Sequence, residues 1–224
     1  MISILLATYN GEKYIKQCIN SILSQTFKDF ELLIGFNGTT DGTREIVHSF
    51  KDDRIKTFDY FTEKGKAKTL NKLLFESKFD WIAIQDDDDI WEPNKLEIQI
   101  QHTEGNDVVG SYINYINENG EFGGGLTLSN NHDQIVYNCI NGINHVANSS
   151  SIIRRKSLLN VGGWREELDK LPASGFAPLE DFDLWLRMIR NGNRFKNVPE
   201  FLVRHRIHKA SNFNTLKCDL SKIM

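Results

Sequence analysis

Four consecutive carboxylates, Asp86 to Asp89, follow directly on an apolar run of strand length. At a separation of about 5 Å and an effective dielectric of about 20, each neighbouring pair repels by roughly 3 kcal/mol. A bound cation offsets that repulsion, and carboxylates are the oxygen ligands that Mg²⁺ and Mn²⁺ prefer, commonly together with substrate phosphates. The alternative is a solvated acidic turn that caps the next helix. Three nearby basic residues favour the metal and phosphate chemistry, namely Lys64, Lys66 and Lys68.

The aspartates end the last of four predicted strands that alternate with helices. The first strand, 2–7, is continuously apolar, which is typical of a parallel strand covered on both faces. Asn10 is placed as the N-cap of the first helix. Further strands are predicted at 30–36, 54–61 and 80–85, and helices at 12–25, 42–50 and 68–77. This order predicts an α/β fold with an open, mostly parallel, Rossmann-like sheet flanked by helices.

The second half of the chain has an α+β pattern instead. Residues 107–122 predict a hairpin that turns at Asn119–Gly120, and Gly123 to Gly125 then predict a flexible connection. Helices are predicted at 133–141, 155–161 and 181–192, with a strand at 150–154 and a strand pair within 194–208. We therefore predict one domain, 1–211, with halves 1–104 and 105–211, and a C-terminal tail at 212–224.

Composition excludes several classes of protein. The 224 residues are 40% hydrophobic, which predicts a globular domain, and the net charge of −3 argues against a nucleic-acid partner. Three scattered cysteines, Cys18, Cys139 and Cys218, have no metal-ligand spacing, so we expect reduced thiols and a cytoplasmic location. No apolar run is long enough to span a membrane. The tail is expected either to fray or to form a weakly amphipathic helix that contacts a membrane surface peripherally.

Ligands of an open parallel sheet bind at the carboxyl ends of its strands. The loops predicted to meet there are 8–11, 37–43, 63–68 and 86–89. Carboxylates from one loop and lysines from another would then lie at the same edge.

Six segments in this order resemble family-2 glycosyltransferases, the inverting enzymes of GT-A fold that use nucleotide-sugar donors. The resemblance runs from about Ile2 to Ser211 and rests on the segments ILLATYNGEKYIKQCINSILSQTF, NGTTDGT, GKAKTLN, QDDDDIWEPNKL, VGGWREEL and LEDFDLWLR. It implies a hexosyltransferase-like, metal-dependent enzyme that transfers a sugar to a glycan or lipid-linked glycan acceptor, in cell-surface polysaccharide synthesis. The half 1–104 would bind the nucleotide-sugar, and 105–211 the acceptor.

The resemblance also implies roles on the donor side. Asp88 would ligate Mn²⁺ or Mg²⁺, and His208 would be a second ligand or contact the phosphate. The implied nucleotide-binding residues are Thr8, Tyr9, Asn10, Asn37, Asp41, Lys68, Asp86, Asp87 and Arg206. Several have a structural alternative: Asp41–Gly42 is an ordinary turn pair, Lys68 can be a solvated helix start, and Arg206 can lie on an exposed basic edge strand.

On the acceptor side, the resemblance makes Asp181 the general base, because an acceptor hydroxyl is a poor nucleophile until a carboxylate takes its proton. Glu180 would orient the acceptor or the loop. Both residues can also cap the helix that follows, and capping would fix the direction of the base. Trp164 and Trp185 would either stack on the acceptor sugar or pack in the core.

One position departs from the family pattern. Phe36-Asn37-Gly38-Thr39 stands where the family commonly has Asp-Asp-Gly-Ser, and the first of those aspartates often accepts the uracil N–H. Phe36 cannot accept a hydrogen bond, although it could stack on a base, and Asn37 can both donate and accept. The nucleotide base is left open.

Two other function classes compete with transfer. A sugar-nucleotide pyrophosphorylase would need a glycine-rich, basic loop after the first strand, and ATYNGEKY has a single glycine. A non-catalytic module that binds sugar-nucleotides or glycans is the other, and the intact Asp86, Asp88 and Asp181 argue against it. No G-x-G-x-x-G follows a strand, which disfavours a dinucleotide-dependent oxidoreductase.

Overall fold

The computed structural model of the protein describes residues 1–61, 64–170 and 180–209. The predicted tail 212–224, Cys218 and residue Glu63 of the third loop lie outside the described residues. The two described cysteines, Cys18 and Cys139, are buried free thiols, in agreement with the expectation of reduced cysteines.

The first half alternates strands and helices as predicted. Its strands are β1 (Ile2–Thr8), β2 (Phe30–Asn37), β3 (Ile55–Phe61), β4 (Trp81–Asp86) and the short β5 (Ile90–Trp91). Its helices are α1 (Ile15–Leu23), α2 (Thr43–Ser49), α3 (Lys66–Glu76) and α4 (Lys95–Ile100). β1 and β2 are almost entirely buried, and for β1 the continuous apolar run predicts this.

Within 105–170 and 180–209, the structure has four strands and three α-helices. The strands are β6 (Val108–Ile116), β7 (Phe122–Leu126), β8 (Ile152–Arg154) and β9 (Phe195–Arg206). The helices are α5 (His132–Ile140), α6 (Arg155–Asn160) and α7 (Glu180–Arg190), and 3-10 turns occupy 148–150 and 166–170.

Two predictions for this half were wrong. Gly123 to Gly125 form strand β7 rather than a flexible connection, because their backbone pairs with β6. The predicted final strand pair is the single strand β9, which continues parallel to β6 through two register shifts. The predicted turn at Asn119–Gly120 joins β6 and β7, and Gly120 has a φ of 87°, which glycine adopts without strain.

The nine strands of the described residues belong to one sheet, in the order β3-β2-β1-β4-β8-β6-β9-β5, with β7 paired to β6. The strands β1 to β4 are parallel to one another. Strand β8 is antiparallel to both β4 and β6 and joins the two halves of the sheet. Because Ala7 is in register with Asp86, and Thr8 with Phe36, the ends of β1, β2 and β4 meet at one edge.

The sheet separates two apolar clusters. One packs α1, α2 and α4 against one face, and the other packs α3, α5, α6 and α7 against the opposite face. Trp164 and Trp185 belong to the second cluster. Among the helices in the described part of the chain, none is long and apolar enough to cross a bilayer.

Asn10 does not cap the first helix, contrary to the prediction. Helix α1 begins at Ile15, with Tyr14 at the N-cap position and no side-chain cap. Asn10 instead has a φ of 53°, in the left-handed region that asparagine tolerates better than most residues. Its side-chain oxygen accepts the N–H of Thr40, so it ties the loop after β1 to the loop after β2.

Candidate active site

Each of the four aspartates has its own partners, which come from several elements. These neighbouring donors and cations offset part of the repulsion between the carboxylates. The partners are Lys66, Asn148 and Ser149 for Asp86, Thr8 for Asp87, His208 for Asp88, and His205 with the Arg206 N–H for Asp89.

Asp86 meets a second acidic residue across the site. The Lys66 Nζ atom lies 2.6 Å from Oδ1 of Asp86 and 2.9 Å from Oε1 of Glu180. Burial raises the pKa of the Asp86 carboxyl, but attraction to Lys66 and hydrogen bonds from Asn148 and Ser149 outweigh burial and leave the pKa below its usual value. Asp86 is therefore an ionised carboxylate in a site that links both halves of the chain.

Asp87 turns towards the end of β1. The Thr8 hydroxyl donates a hydrogen bond of 2.5 Å to Oδ2 of Asp87. Gly11 leaves room for this carboxylate, since a Cβ there would lie only 2.5 Å from the same oxygen. Burial and repulsion from Asp88 raise the pKa of Asp87 to about 7. Thr8 and Asp87, both predicted nucleotide-binding residues, are thus brought together.

Asp88 pairs with a histidine from the end of the described chain. The Nε2 atom of His208 lies 2.8 Å from Oδ2 of Asp88, and the two side chains keep 16% and 19% of their surface exposed. An imidazole nitrogen and a carboxylate oxygen are both ligands of Mn²⁺. Within the described residues, no group of three or more histidine, cysteine, aspartate or glutamate side chains is arranged to hold a metal. A divalent metal held by this pair would need its remaining ligands from phosphate and water.

Asp89 is a structural member of the cluster. It is fully buried, accepts the backbone N–H of Arg206 and lies 3.0 Å from Nδ1 of His205. Burial lowers the pKa of His205, but attraction to Asp89 outweighs burial and raises the pKa to about 9. The pair therefore fixes the end of β9 to the loop after β4.

Arg206 was predicted to contact the nucleotide or to lie on an exposed edge strand, and the structure contradicts both. Its side chain is 1% exposed, and β9 is flanked by β6 and β5. The guanidinium donates to the carbonyls of Asp88, Asn117 and Glu118 and to the side chain of Gln17. The guanidinium of Arg206 therefore has a structural role, because its hydrogen bonds hold the acidic loop in place.

Asp181 and its neighbour Glu180 begin α7 and lie beside the acidic cluster. Asp181 is 8% exposed, its Oδ1 accepts the N–H of Phe182, and Asn144 approaches Oδ2 at 3.4 Å. Burial and repulsion from Glu180 raise the pKa of Asp181 to about 7, although Lys66 opposes the rise. A carboxylate with this pKa is suited to take a proton near neutral pH.

The ends of β1 and β2 hold four further predicted nucleotide residues. Tyr9 is 41% exposed and lies under the Lys64 ammonium, 4.8 Å from its ring centre. Asn10 lies beside it and carries the bond to Thr40 described above. Asn37 is buried, and its side-chain oxygen accepts the N–H of Gly65, so it joins β2 to the start of α3.

Asp41, the fourth of these residues, has the structural role that an ordinary turn pair predicts. Its Oδ1 accepts the N–H and the hydroxyl of Thr43 at the start of α2, and its Oδ2 accepts the N–H of Glu12. Phe36 is 2% exposed, with the Arg44 guanidinium 4.7 Å from its ring centre. A ring buried in this way cannot stack on a nucleotide base.

Lys68 lies exposed in the first turn of α3, near the cleft. Its backbone N–H and that of Ala67 both donate to the carboxylate of Asp169, each at 3.0 Å. Asp169 therefore caps α3 from the second half of the chain, and the turn that carries Lys66 is fixed by a residue that the sequence alone did not single out.

Both tryptophans lie in the core, so the prediction that they stack on an acceptor was wrong. Trp164 is 2% exposed and Trp185 is fully buried, with its indole N–H donating to the carbonyl of Val146. Neither ring offers a face to a sugar. Both tryptophans pack in the core, which was the alternative prediction for each.

Sequence reasoning missed the residues that connect the two halves of the site. Lys66 was one of three lysines near the loop, and nothing in the sequence separated it from Lys64 and Lys68. Asn144, Asn148 and Ser149 belong to the polar segment NHVANSSS, whose amide and hydroxyl groups were the available signal.

The chain is similar to known glycosyltransferases. The model of the family "Glycosyl transferase family 2" matches residues 3–162, more than half of the chain. The O-antigen biosynthesis glycosyltransferase WbnJ of Escherichia coli is 34% identical over 223 residues, which cover 94% of this chain and 81% of WbnJ. The UDP-Glc:alpha-D-GlcNAc-diphosphoundecaprenol beta-1,3-glucosyltransferase WfgD of Escherichia coli is 32% identical over 198 residues, covering 86% of this chain and 71% of WfgD.

Solved structures show the same fold. TarS 1-349 of S. aureus, in complex with UDP, superposes with a TM-score of 0.73 at 21% identity over 96% of this chain. The mannosyltransferase PcManGT of Pyrobaculum calidifontis, in complex with GDP-Man and Mn²⁺, gives 0.69 at 15% identity over 94%. This chain spans 62% and 58% of those two chains. The predicted GT-A fold, a mostly parallel sheet flanked by helices, is confirmed.

Proposed function

Because this chain belongs to glycosyl transferase family 2, we propose that it transfers a sugar from a nucleoside diphosphate sugar to an acceptor hydroxyl, with inversion at the anomeric carbon. One observation carries the proposal. Asp86 at the end of β4 and Glu180 at the start of α7 meet at the Lys66 ammonium, which brings the acidic cluster close to the helix start that carries the predicted base.

Asp181 is the proposed general base. Its carboxylate takes the proton of the acceptor hydroxyl while that oxygen forms a bond to the anomeric carbon. The bond from the same carbon to the diphosphate oxygen breaks, and the electron pair leaves with the nucleoside diphosphate. The raised pKa of Asp181 supports this role, because a base with a pKa near the working pH accepts a proton most effectively.

Asp88 and His208 are the proposed ligands of Mn²⁺ or Mg²⁺. The contact of 2.8 Å between them supports this, and so does the Mn²⁺ bound together with GDP-Man in PcManGT. A bound divalent cation would stabilise the charge that develops on the departing diphosphate. Asp86 and Asp87 directly precede Asp88 in the same loop and are proposed to contact the ribose or the phosphates.

The nucleotide is proposed to lie at the ends of β1 and β2, against Thr8, Tyr9 and Asn10. Tyr9 has the exposed ring that a base can stack on. We propose UDP as the nucleotide, since the name of WfgD specifies UDP-Glc and TarS is bound to UDP. The family residue at the position of Phe36 often accepts a hydrogen bond from the uracil N–H. Phe36 is buried and cannot accept one, so another group must accept that hydrogen bond.

The proposed acceptor is a lipid-linked glycan of cell-surface polysaccharide synthesis, with the protein acting at the cytoplasmic surface of the membrane. The names of WbnJ and WfgD, an O-antigen biosynthesis enzyme and a transferase to a diphosphoundecaprenol-linked sugar, support this class. A pyrophosphorylase and a non-catalytic module are both less well supported, since the chain belongs to a transferase family and Asp181 is held beside the acidic cluster.

A thermal-unfolding screen of UDP, GDP, CDP and TDP, each with and without Mn²⁺, tests the donor site. A ligand at about 100 times its dissociation constant stabilises the folded state by about 2.7 kcal/mol. We expect the largest shift in melting temperature with UDP and Mn²⁺ together. The transfer reaction is then tested with UDP-glucose and a GlcNAc-diphospho-lipid acceptor, and UDP release without a glycosylated product contradicts the proposal.

A further inference from the structure

Lys66 connects two carboxylates that come from opposite halves of the chain. Its ammonium lies between Asp86 and Glu180, and its side chain is 25% exposed. Burial lowers the pKa of Lys66, but attraction to the two carboxylates outweighs burial and raises the pKa well above its usual value. The residue therefore stays cationic across the pH range in which an enzyme of this kind works.

The backbone around Lys66 is held in place from both sides. The N–H of Gly65 donates to the Asn37 side chain, and the N–H groups of Ala67 and Lys68 donate to Asp169. A Cβ at position 65 would lie 3.1 Å from the Asp169 carboxylate, so glycine suits this close approach. These hydrogen bonds fix the backbone at Lys66 and so limit the positions that its ammonium can reach. A solvated surface lysine would not need a backbone fixed in this way.

The charges that face Asp181 come from three elements. Glu180 lies on its own helix, Asp86 comes from β4, and Lys66 comes from α3. The neutral amide of Asn144 approaches from the loop after α5. Of these groups, Lys66 is the one with a positive charge, and it opposes the repulsion of the two carboxylates.

Of the titratable groups on and near α5, which packs against α7, Asp133 is exposed to solvent, whereas the Cys139 thiol and the His145 imidazole are uncharged near neutral pH. Burial raises the pKa of the Cys139 thiol, and burial lowers the pKa of His145. The Nδ1 atom of His145 accepts the N–H of Ser129, and that of His132 accepts the N–H of Phe195. The charges that act on the Asp181 carboxyl are therefore those of Lys66, Glu180 and Asp86.

We propose that Lys66 is a positioning residue of the transfer reaction, whose ammonium bridges Glu180 and Asp86 and favours the ionised form of the neighbouring Asp181, which accepts the acceptor proton. This rests on the proposed function, with Asp181 as the base. Removal of the positive charge should disfavour the ionised form of Asp181 and lower the turnover most strongly at low pH. A purely structural bridge would instead lower turnover equally at all pH values.

The test compares kcat and KM between about pH 5.5 and 9 for wild type, Lys66→Met, Lys66→Arg and Lys72→Met. Lys72 is an exposed lysine of the same helix and serves as the matched control. We expect Lys66→Met to reduce kcat about tenfold or more near pH 6.5, less at pH 8.5, and to move the acidic limb of the profile to higher pH. Lys66→Arg should return the acidic limb of the pH–rate profile to its wild-type position, and Lys72→Met should have the same profile as wild type.

An unshifted acidic limb in Lys66→Met, or an equal loss at every pH, would overturn the proposal. A second readout separates this from failure of the proposed function. The carboxyl carbon of Asp181 is titrated by NMR in wild type and Lys66→Met, with Asp181→Asn to assign the signal. If wild type transfers no sugar, the proposed function fails, while a titration midpoint that Lys66→Met does not raise would refute the role of Lys66.

Discussion

The Nε2 atom of His208 lies 2.8 Å from Oδ2 of Asp88, although 120 residues separate the two in the chain. The contact joins the loop after β4 to the residues that follow β9. The buried residues Asp89 and Arg206 join the same two segments, because Arg206 donates its backbone N–H to Asp89 and its Nε–H to the carbonyl of Asp88. These bonds fix the relative positions of the two segments that carry the proposed metal ligands.

Asp88→Ala and His208→Ala should each weaken the Mn²⁺-dependent binding of a nucleoside diphosphate. We expect a loss of at least about tenfold, because each change removes one of two protein ligands. Isothermal titration calorimetry with and without Mn²⁺ measures it. Asp53→Asn, at an exposed aspartate before β3, is the control and should bind as wild type does. Unchanged metal-dependent affinity in both variants would remove the pair as the metal site.

Asp181→Asn should nearly abolish transfer while leaving nucleotide affinity within about twofold of wild type. The amide keeps the shape of the side chain but cannot accept the acceptor proton, and general-base catalysis typically contributes about 10²- to 10⁴-fold. Single-turnover rates and UDP titrations measure the two effects separately. Asp133→Asn, on the exposed side of α5, provides the control. Near-normal turnover in Asp181→Asn would refute its assignment as the base.

The wild-type rate should depend on pH through Asp181. Burial and repulsion from Glu180 raise the pKa of this carboxyl to about 7, so it is largely protonated at pH 6 and largely ionised at pH 8. Since the base must be ionised, kcat is expected to rise about fivefold or more over that interval and then to level off. A pH–rate profile at saturating donor checks this. A rate that falls as pH rises from 6 to 8 would contradict it.

Lys95 offers a test of stability away from the site. It is fully buried, its Nζ donates to Gln99 at 2.7 Å and lies 4.0 Å from the ring centre of Trp91. Burial lowers the pKa of Lys95 well below its usual value. Between that lowered pKa and the unfolded value of about 10.4, the unfolded chain binds more protons, so the free energy of unfolding contributed by this residue rises with pH.

Lys95→Met removes the free-energy cost of burying the ammonium group and keeps most of the side-chain volume. We expect the free energy of unfolding at pH 7 to rise by about 1 kcal/mol, with the gain shrinking towards pH 10. Urea unfolding at several pH values measures it, with the exposed Lys72→Met as control. A destabilised Lys95→Met protein at pH 7 would show that the bond to Gln99 outweighs the burial cost.

Asp169→Ala should destabilise the protein by removing the cap of α3. Loss of an N-cap side chain typically costs about 1 kcal/mol, and here two N–H groups lose their acceptor. Asp169→Ser, which keeps a side-chain oxygen, should recover part of the loss. Thermal unfolding compares the three proteins, and equal melting temperatures would show that water replaces the carboxylate without cost.

Much of the fold follows from local sequence pattern. The apolar run at 2–7 predicted a strand covered on both faces, the segment 30–36 predicted a second strand, and the helical spacing of apolar residues at 12–25 placed a helix between them. Because parallel strands present their carboxyl ends at one edge, the position of Asp86 at the end of β4 already implied a ligand site there. The family resemblance supplied the order of the segments and the candidate base.

Tertiary structure decided everything that depends on burial and on contacts between distant segments. The types of Trp164, Trp185 and Arg206 are compatible with either a binding surface or the interior, and only packing shows that all three are buried. Lys66 looks like its neighbours in the sequence, yet it alone of the three lysines near the loop meets both Asp86 and Glu180 among the ion pairs of the described residues. Residue type and local spacing determine which elements form and which chemistry is available. Long-range contacts determine which of those side chains meet, because such contacts depend on the arrangement of the whole sheet.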